Sequence, residues 1–453
     1  MKTKLMAVLL ASAMLLSLAP IALASDGGGD VTVTYWTHQR HDMEYIGQIV
    51  EEFNALDNGI KVEMQIYTDN FGDLLAAAYQ TGQAPDIFTN FPTGMNLVDG
   101  VRAGMVMPIE DLISDELREK NSQFFVETIN MVDGKLYTLP FVGYNFRLAV
   151  NLDACEGAGV DPDAIKTYDD LVAAAKKITE WGATQEPRVY GFMLPTGEWN
   201  WIWDGQYYGA LARYNGEFYY DFKTGKADFE SIRPIMEMYL KMKEDGSLFP
   251  GGVEMINDPA RQQFSEGTVG MMVAASWDIG VFNDQFPAKI NWKCVNLPTY
   301  DGELHGKGNL SGGDYLKINA AAKNPEACME WLSYLLSDEV LEGYYSGAYG
   351  LPLRAEISSN AKVQPEKKGF SDFANTEIDA IYPPLFPYSA PEPNYGNYLN
   401  QVMMGSITID QAIETLNMLY NAAIEEEISS GGDPTPYIYP NFDFMDPAGS
   451  SAK

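Results

Sequence analysis

The sequence predicts an α/β protein built as two lobes, and three observations carry that prediction. Segments of strand and helix periodicity alternate from Val31 onward. The stretch Gly82-Gln83-Ala84-Pro85-Asp86-Ile87-Phe88 reads as a helix stop, a proline-stiffened turn and a short buried strand. The 453 residues exceed what one ordinary core holds and suffice for two.

Residues 1–24 precede the alternation and read as a secretory signal peptide. Lys2 and Lys4 give a positive start, residues 5–18 an apolar centre, and Ala22-Leu23-Ala24 a small-residue cleavage site. The apolar run is short and Pro20 breaks it, which disfavours a membrane anchor. No lipobox cysteine stands at the junction, so the expected product is soluble and exported, to the periplasm or the exterior.

A Gly-rich leader over 26–30 then meets the first strand. Over residues 31–36, Val31, Val33 and Tyr35 alternate with Thr32, Thr34 and Trp36. Residues 43–56 place apolar side chains at 46, 49, 50, 53 and 56, a helical period. A strand over 61–67, a helix over 70–81 and a strand over 86–89 follow. This β-α-β-α-β order is that of a doubly wound sheet, in which ligands bind outside the carboxyl ends of the strands. Thr89, Asn90 and Phe91 are therefore candidates to face a ligand.

Residues 134–141 read as a hairpin leading into a strand over 146–151. Thr167 is an N-cap followed by acids and opens a helix over 168–181. After an aromatic-rich patch over 199–220 come helices over 232–245 and 259–266, then a strand over 269–274. A loop and short helix over 277–286 and helices over 327–337 and 409–428 complete the series. Residues 383–393 hold five prolines and read as an extended surface loop.

The formal net charge is −33, and loss of the two signal lysines with no acid takes it to about −35. That argues against nucleic acid or an anionic membrane as partner. The acids are scattered, as on a solvated surface. Cys155, Cys294 and Cys328 lack metal-site spacing; export permits one disulfide, and buried free thiols are favoured. His38, His41 and His305 are dispersed, so neither a metal nor another cofactor is expected.

Ordered blocks along the chain resemble one family. They are Thr34-Tyr35-Trp36, Phe53 with Ile60-Lys61-Val62, the Gly82 to Phe88 segment, and Asp133-Gly134-Lys135-Leu136-Tyr137 with Leu139-Pro140. Thr167-Tyr168-Asp169-Asp170-Leu171 follows, then Phe264-Ser265-Glu266-Gly267 leading to Met271-Met272 and Ser276-Trp277. Gly312-Gly313, Lys323-Asn324-Pro325-Glu326-Ala327 and Gly350-Leu351-Pro352 close the series. Together they are similar to the extracellular solute-binding proteins of ABC importers, in the carbohydrate-binding group that includes maltose-binding protein. The resemblance implies a periplasmic-binding-protein fold with a hinge and a ligand cleft between its lobes. Mapped here, one lobe is 26–150 plus 308–355 and the other 151–305 plus 356–453. Crossings are expected near Asn151, near 306–309 and near Arg354. The implied function is capture of a carbohydrate, an oligosaccharide above all, by a monomer that hands it to the transmembrane subunits of an ABC permease without catalysis.

Sugars offer apolar C–H faces and hydroxyl edges, so their sites combine aromatic rings with planar polar groups. Trp277 follows an apolar strand, where the family often stacks an aromatic on a sugar, and Asp278 can accept hydroxyls or cap a helix. Trp199, Trp201 and Trp203 alternate, so each either packs under the second lobe or projects into the cleft. Trp36, His38 and Arg40 follow the first strand, where the family often places polar contacts. Asn90 and Phe91 follow the third strand, and Tyr144 precedes the crossing strand. Gly312, Gly313 and Asp314 form a turn that lets backbone approach a ligand. Tyr349 and Arg354 belong to the last crossing, and Tyr395 and Tyr398 to a region where the family often adds a ring. Two other functions compete: an exported carbohydrate-active enzyme, needing two carboxylates across a cleft, and a binding protein for a cationic solute such as a polyamine.

Overall fold

A computed structural model describes residues 30–67, 70–93, 95–127, 129–197, 202–312, 316–374 and 377–451. The signal segment, Trp199, Trp201, Gly313 and Asp314 lie outside the described residues.

The alternating strand Val31–Thr37 buries Val33, Tyr35 and Thr37 on one face. It pairs in parallel with Ile60–Ile66 on one side and Ile87–Phe88 on the other, so Tyr35 stands opposite both Met64 and Ile87. Helices Met43–Asn54 and Phe71–Thr81 make the two crossovers. Two antiparallel strands, Leu316–Ile318 and Thr138–Leu139, complete this five-stranded sheet. Its core gathers Val33, Ile87, Leu316 and the fully buried Trp331.

A second, four-stranded sheet runs in the order Trp292–Val295, Phe146–Asn151, Val269–Ala275, Tyr190–Met193. Its two central strands are buried at every position. Strand alternation explains how both faces are filled. Phe146, Leu148 and Val150 point into the core under helix Tyr168–Gly182, whereas Ala149 joins the opposite core with Phe264 and Trp292. Thr167 and Asp170 form a reciprocal capping box at the start of that helix, as the sequence indicates.

Three short strands join the two halves. Val142–Tyr144 pairs with Ser311–Gly312 and with Leu351–Pro352, so Gly143 faces both Gly312 and Leu351. Phe146–Asn151 belongs wholly to the second sheet. Asn151 caps the next helix, accepting Ala154 N–H at 3.1 Å. Ile357 packs in the first core, while Tyr345, Ala348, Leu351 and Phe370 share a core with Ala149 and Met272 of the second sheet.

A buried polar cluster fastens these crossings. Arg147 pairs with Asp379 at 2.7 Å, both side chains being about 1% exposed. Asn145 donates to Asp379 at 2.8 Å and Tyr214 to its other oxygen at 2.9 Å. Strand Gly308–Asn309 runs beside Asp379–Ala380. A Cβ on Gly308 would stand 2.6 Å from Asp379 Oδ1 and 2.8 Å from the Tyr214 hydroxyl, so glycine is needed for this approach.

Two local expectations change, and the aromatic-rich patch takes a definite form. The hairpin is Met131–Val132 with Lys135–Leu136, turned at Asp133 and Gly134, both at positive φ, and Thr138–Leu139 joins the first sheet. Residues 199–220 hold no strand up to Tyr214 among those described: Ile202–Tyr207 forms a wide helical turn and Gly209–Tyr214 a helix. The proline segment is extended but not a free surface loop, because alternate residues such as Phe386 turn into the second core. Cys155, Cys294 and Cys328 are buried free thiols, and burial pushes the Cys155 thiol up to about 11. Among the described residues no helix is long and apolar enough to cross a membrane.

Candidate functional site

A cavity of about 1550 Å³ lies between the two sheets, with walls from both and from the crossing strand Val142–Tyr144. It opens where strand ends of the first sheet meet the loop after Val269–Ala275, as an α/β sheet favours. A smaller concavity of about 560 Å³, between Phe125 and Tyr437, holds none of the candidate residues.

The first sheet contributes the loop that leaves strand Val31–Thr37. The His38 main-chain N–H reaches Thr89 Oγ1 at 3.2 Å and its ring Nδ1 lies 2.8 Å from the same oxygen. Gln39 Nε2 approaches His38 Nε2 at 3.3 Å. With Gln39 donating, the imidazole proton sits on Nδ1 and is given to Thr89. Burial first, then the charges of Lys317 and His41, lower the His38 pKa to about 4, so the ring is neutral near pH 7. His41 Nε2 lies 3.1 Å from the Tyr344 hydroxyl, which donates to the buried Asp42 at 2.8 Å.

The second sheet contributes an aromatic corner. Trp277 stands at the end of Val269–Ala275 and meets Tyr144 edge-on, ring centres 4.8 Å apart, with Phe146 behind at 6.1 Å. Across the cavity Tyr349 stacks on Tyr45 at 5.1 Å. The corner and Tyr349 give apolar faces on two sides of the space.

The charges of the cavity are largely matched. Arg40, from the first lobe, reaches across to Asp258 at 2.8 Å, and Arg261 holds the other oxygen of Asp258 at 3.0 Å. Burial alone would raise the Asp258 carboxyl, but the two guanidinium groups outweigh it and hold it below the usual range. Lys367 pairs with Asp284 at 2.7 Å. Asp258 and Asp284 are thus paired with Arg40, Arg261 and Lys367, whereas Asp42 takes the Tyr344 hydroxyl and Glu44 lines the same space, so a modest negative charge remains. Among the described residues no group of three or more His, Cys, Asp or Glu side chains is arranged to hold a metal.

Of the sequence candidates, His38, Arg40, Asn90, Tyr144, Trp277 and Tyr349 line this cavity. Gly312 lies at its edge, paired with the lining Gly143. The others stand elsewhere, each for a packing reason. Trp36 points to the opposite face of its strand and packs on Tyr67 at 4.6 Å. Phe91 is buried against Phe88 and under the Lys317 ammonium at 4.8 Å. Trp203 is wholly buried and its indole N–H bonds Asn400 at 3.0 Å. Asp278 is buried behind the cavity, taking Ala275 N–H at 2.9 Å and pairing with Arg261 at 2.7 Å. Arg354 is buried in the first lobe against Asp338 at 2.7 Å. Tyr395 bonds Asp204 at 2.8 Å inside the second core, and Tyr398 packs against that core.

Lining residues not singled out from the sequence include Asn257, Asp258, Arg261, Tyr344 and Lys367. Asn257 and Arg261 stand four apart on helix Asn257–Glu266, so helical spacing alone could have paired them on one face. Asn257 is 4% exposed and neither of its amide atoms has a hydrogen-bond partner. A buried polar group left so costs about 1–3 kcal/mol.

Comparison with known proteins agrees with this architecture. The profile of the family described as bacterial extracellular solute-binding protein matches residues 38–342. An arabinooligosaccharide-binding protein of Bacillus subtilis is 25% identical over 369 residues, covering 77% of this chain and 79% of that one. Among solved structures, apo RafE from Streptococcus pneumoniae superposes with a TM-score of 0.66 at 18% identity, covering 88% of this chain and 100% of that one. The maltose-maltodextrin binding protein of Alicyclobacillus acidocaldarius gives 0.64 at 18% identity, covering 86% and 99%.

Proposed function

This chain belongs to the bacterial extracellular solute-binding protein family, and from that premise we propose that it captures a carbohydrate between its lobes and delivers it to the transmembrane subunits of an ABC permease. The observation that carries the reading is the cavity itself: aromatic faces at Trp277, Tyr144 and Tyr349 around the ion pairs Arg40–Asp258 and Lys367–Asp284. Such a site suits a neutral polyhydroxyl ring, whose C–H face stacks on an indole and whose edge bonds amides and imidazole. The volume, about 1550 Å³, exceeds the roughly 300–1,000 Å³ of ordinary small-molecule pockets and supports an oligosaccharide over a single sugar. Relatives described as binding arabinooligosaccharide or maltooligosaccharide, and RafE in complex with raffinose, support the same class.

Capture proceeds without turnover, through closure of the lobes about the three crossing strands, with the solute favouring the closed state. The protein acts as an exported monomer. Within the site, His38, Arg40, Asn90, Tyr144, Trp277 and Tyr349 make the contacts proposed for the solute. The pairing of Asp258 and Asp284 with Arg40, Arg261 and Lys367 takes two of the lining carboxylates from a polyamine and leaves Asp42 and Glu44. Melting curves with maltotriose, arabinotriose, raffinose and spermidine test the reading. A rise in Tm with at least one sugar, none with spermidine, and no product formed is the expected result. Turnover of the sugar, or a response to spermidine alone, would overturn it.

A further inference from the structure

Helix Asn257–Glu266 carries a row of buried polar side chains that the fold leaves incompletely bonded. Asn257, Arg261 and Ser265 stand at successive four-residue steps on one face. Asn257 leaves both Oδ1 and Nδ2 without a partner, Arg261 leaves Nε, and Ser265 leaves Oγ. Natural proteins keep such groups where function outweighs stability.

Asn257 ends this row at the cavity. It is the first residue of a ten-residue helix, and Ile256 before it supplies no side-chain cap. The main-chain N–H groups of Asn257 and Asp258 are therefore offered at the same helix end as the amide, Pro259 having none. Arg261, one turn on, is held by Asp258 at 3.0 Å and Asp278 at 2.7 Å, so its charge is balanced within the lobe. Asp278 is the neighbour of Trp277, which ties this corner to the aromatic one. What the corner presents is a neutral donor–acceptor pair in the cavity that the Trp277 indole also lines.

We propose that Asn257 is the polar contact of the second lobe for the solute: its amide, unpartnered and sheltered at the start of helix Asn257–Glu266, takes two neighbouring hydroxyls of a sugar ring whose apolar face lies on Trp277. The proposal rests on the carbohydrate reading. A vicinal diol both donates and accepts, and so satisfies Oδ1 and Nδ2 together. A carboxylate would satisfy only the donor.

The test compares wild type with Asn257→Leu, which removes both polar atoms at similar volume, and Asn257→Ser, which keeps a small hydroxyl should the leucine variant fail to fold. Tm is measured without sugar, and calorimetric affinity with whichever of maltotriose, arabinotriose and raffinose stabilises the wild type. Asn257→Leu is expected to melt at or above the wild-type temperature without sugar and to bind about tenfold or more weakly, with Asn257→Ser intermediate in affinity. A sugar-free Tm below wild type would mark the amide as structural and overturn the proposal. Full affinity in the variants would overturn it while leaving the carbohydrate reading standing. A wild type that responds to none of the three sugars would overturn both.

Discussion

Asp86 and Trp277 both stand at the end of a strand, yet their surroundings give them opposite tasks. Asp86 Oδ2 accepts the Thr34 main-chain N–H at 2.9 Å and its hydroxyl at 2.7 Å, and Thr34 Oγ1 accepts the Asp86 N–H at 2.9 Å. These bonds clip the third strand to the first. Asp86→Ala should therefore lower stability by about 1–3 kcal/mol in urea unfolding, with little change in sugar affinity. Trp277→Ala should weaken sugar binding, read by calorimetry, with the urea midpoint held within about 1 kcal/mol, because the indole lines the cavity. The reverse pattern would exchange the two roles. His38 gives a pH signature. Its folded pKa, about 4, lies below the ordinary 6.5, so between those values the unfolded chain takes a proton that the native one refuses. Its contribution is complete above about pH 6.5 and is lost as pH falls toward 4. Asp and Glu titrations add to the slope, so the comparison is with His38→Gln, which should lose less stability between pH 7.5 and 4.5, by on the order of 2 kcal/mol.

At the scale of elements, the periodic signals held where one face of a segment is buried. Helix Met43–Asn54 buries Ile46, Ile49, Val50 and Phe53, the positions that the 3.6-residue period selects. The failures occur where long-range contacts outrank local pattern. The indole of Trp203 alternates with its neighbours as a strand would, but Asn400, 197 residues away, fixes it inside the second core. The polar cluster at the crossings is likewise invisible locally, because Arg147 and Asp379 are 232 residues apart. Removing one partner there strands a buried charge. Asp379→Ala should cost about 3–5 kcal/mol in urea unfolding, whereas removing the exposed partner in Arg40→Ala should cost under about 1 kcal/mol. Equal losses from the two would contradict the burial that separates them.

The whole molecule carries a formal net charge of −33, spread along the chain. Self-repulsion on that scale opposes compactness and is screened when the Debye length falls from about 10 Å at 0.1 M salt to about 3 Å at 1 M. Tm should therefore rise between those salt concentrations, and a flat or falling Tm would show that local ion pairs such as Arg40–Asp258 outweigh the global field. The two-lobed α/β plan, the parallel pairing around Val31–Thr37 and the family were legible in the sequence, since periodicity, caps and ordered motifs are local records of which faces are buried. So were the contributions of His38, Asn90 and Trp277 to the cavity, because strand ends carry ligands in this class of sheet. The cleft wall at Asn257, Asp258 and Arg261 and the burial of Trp203, Arg354 and Tyr395 were decided only in three dimensions. A sequence states what each residue offers; which offers are taken up by distant partners, and which remain for a solute, depends on how two separately packed cores are brought face to face.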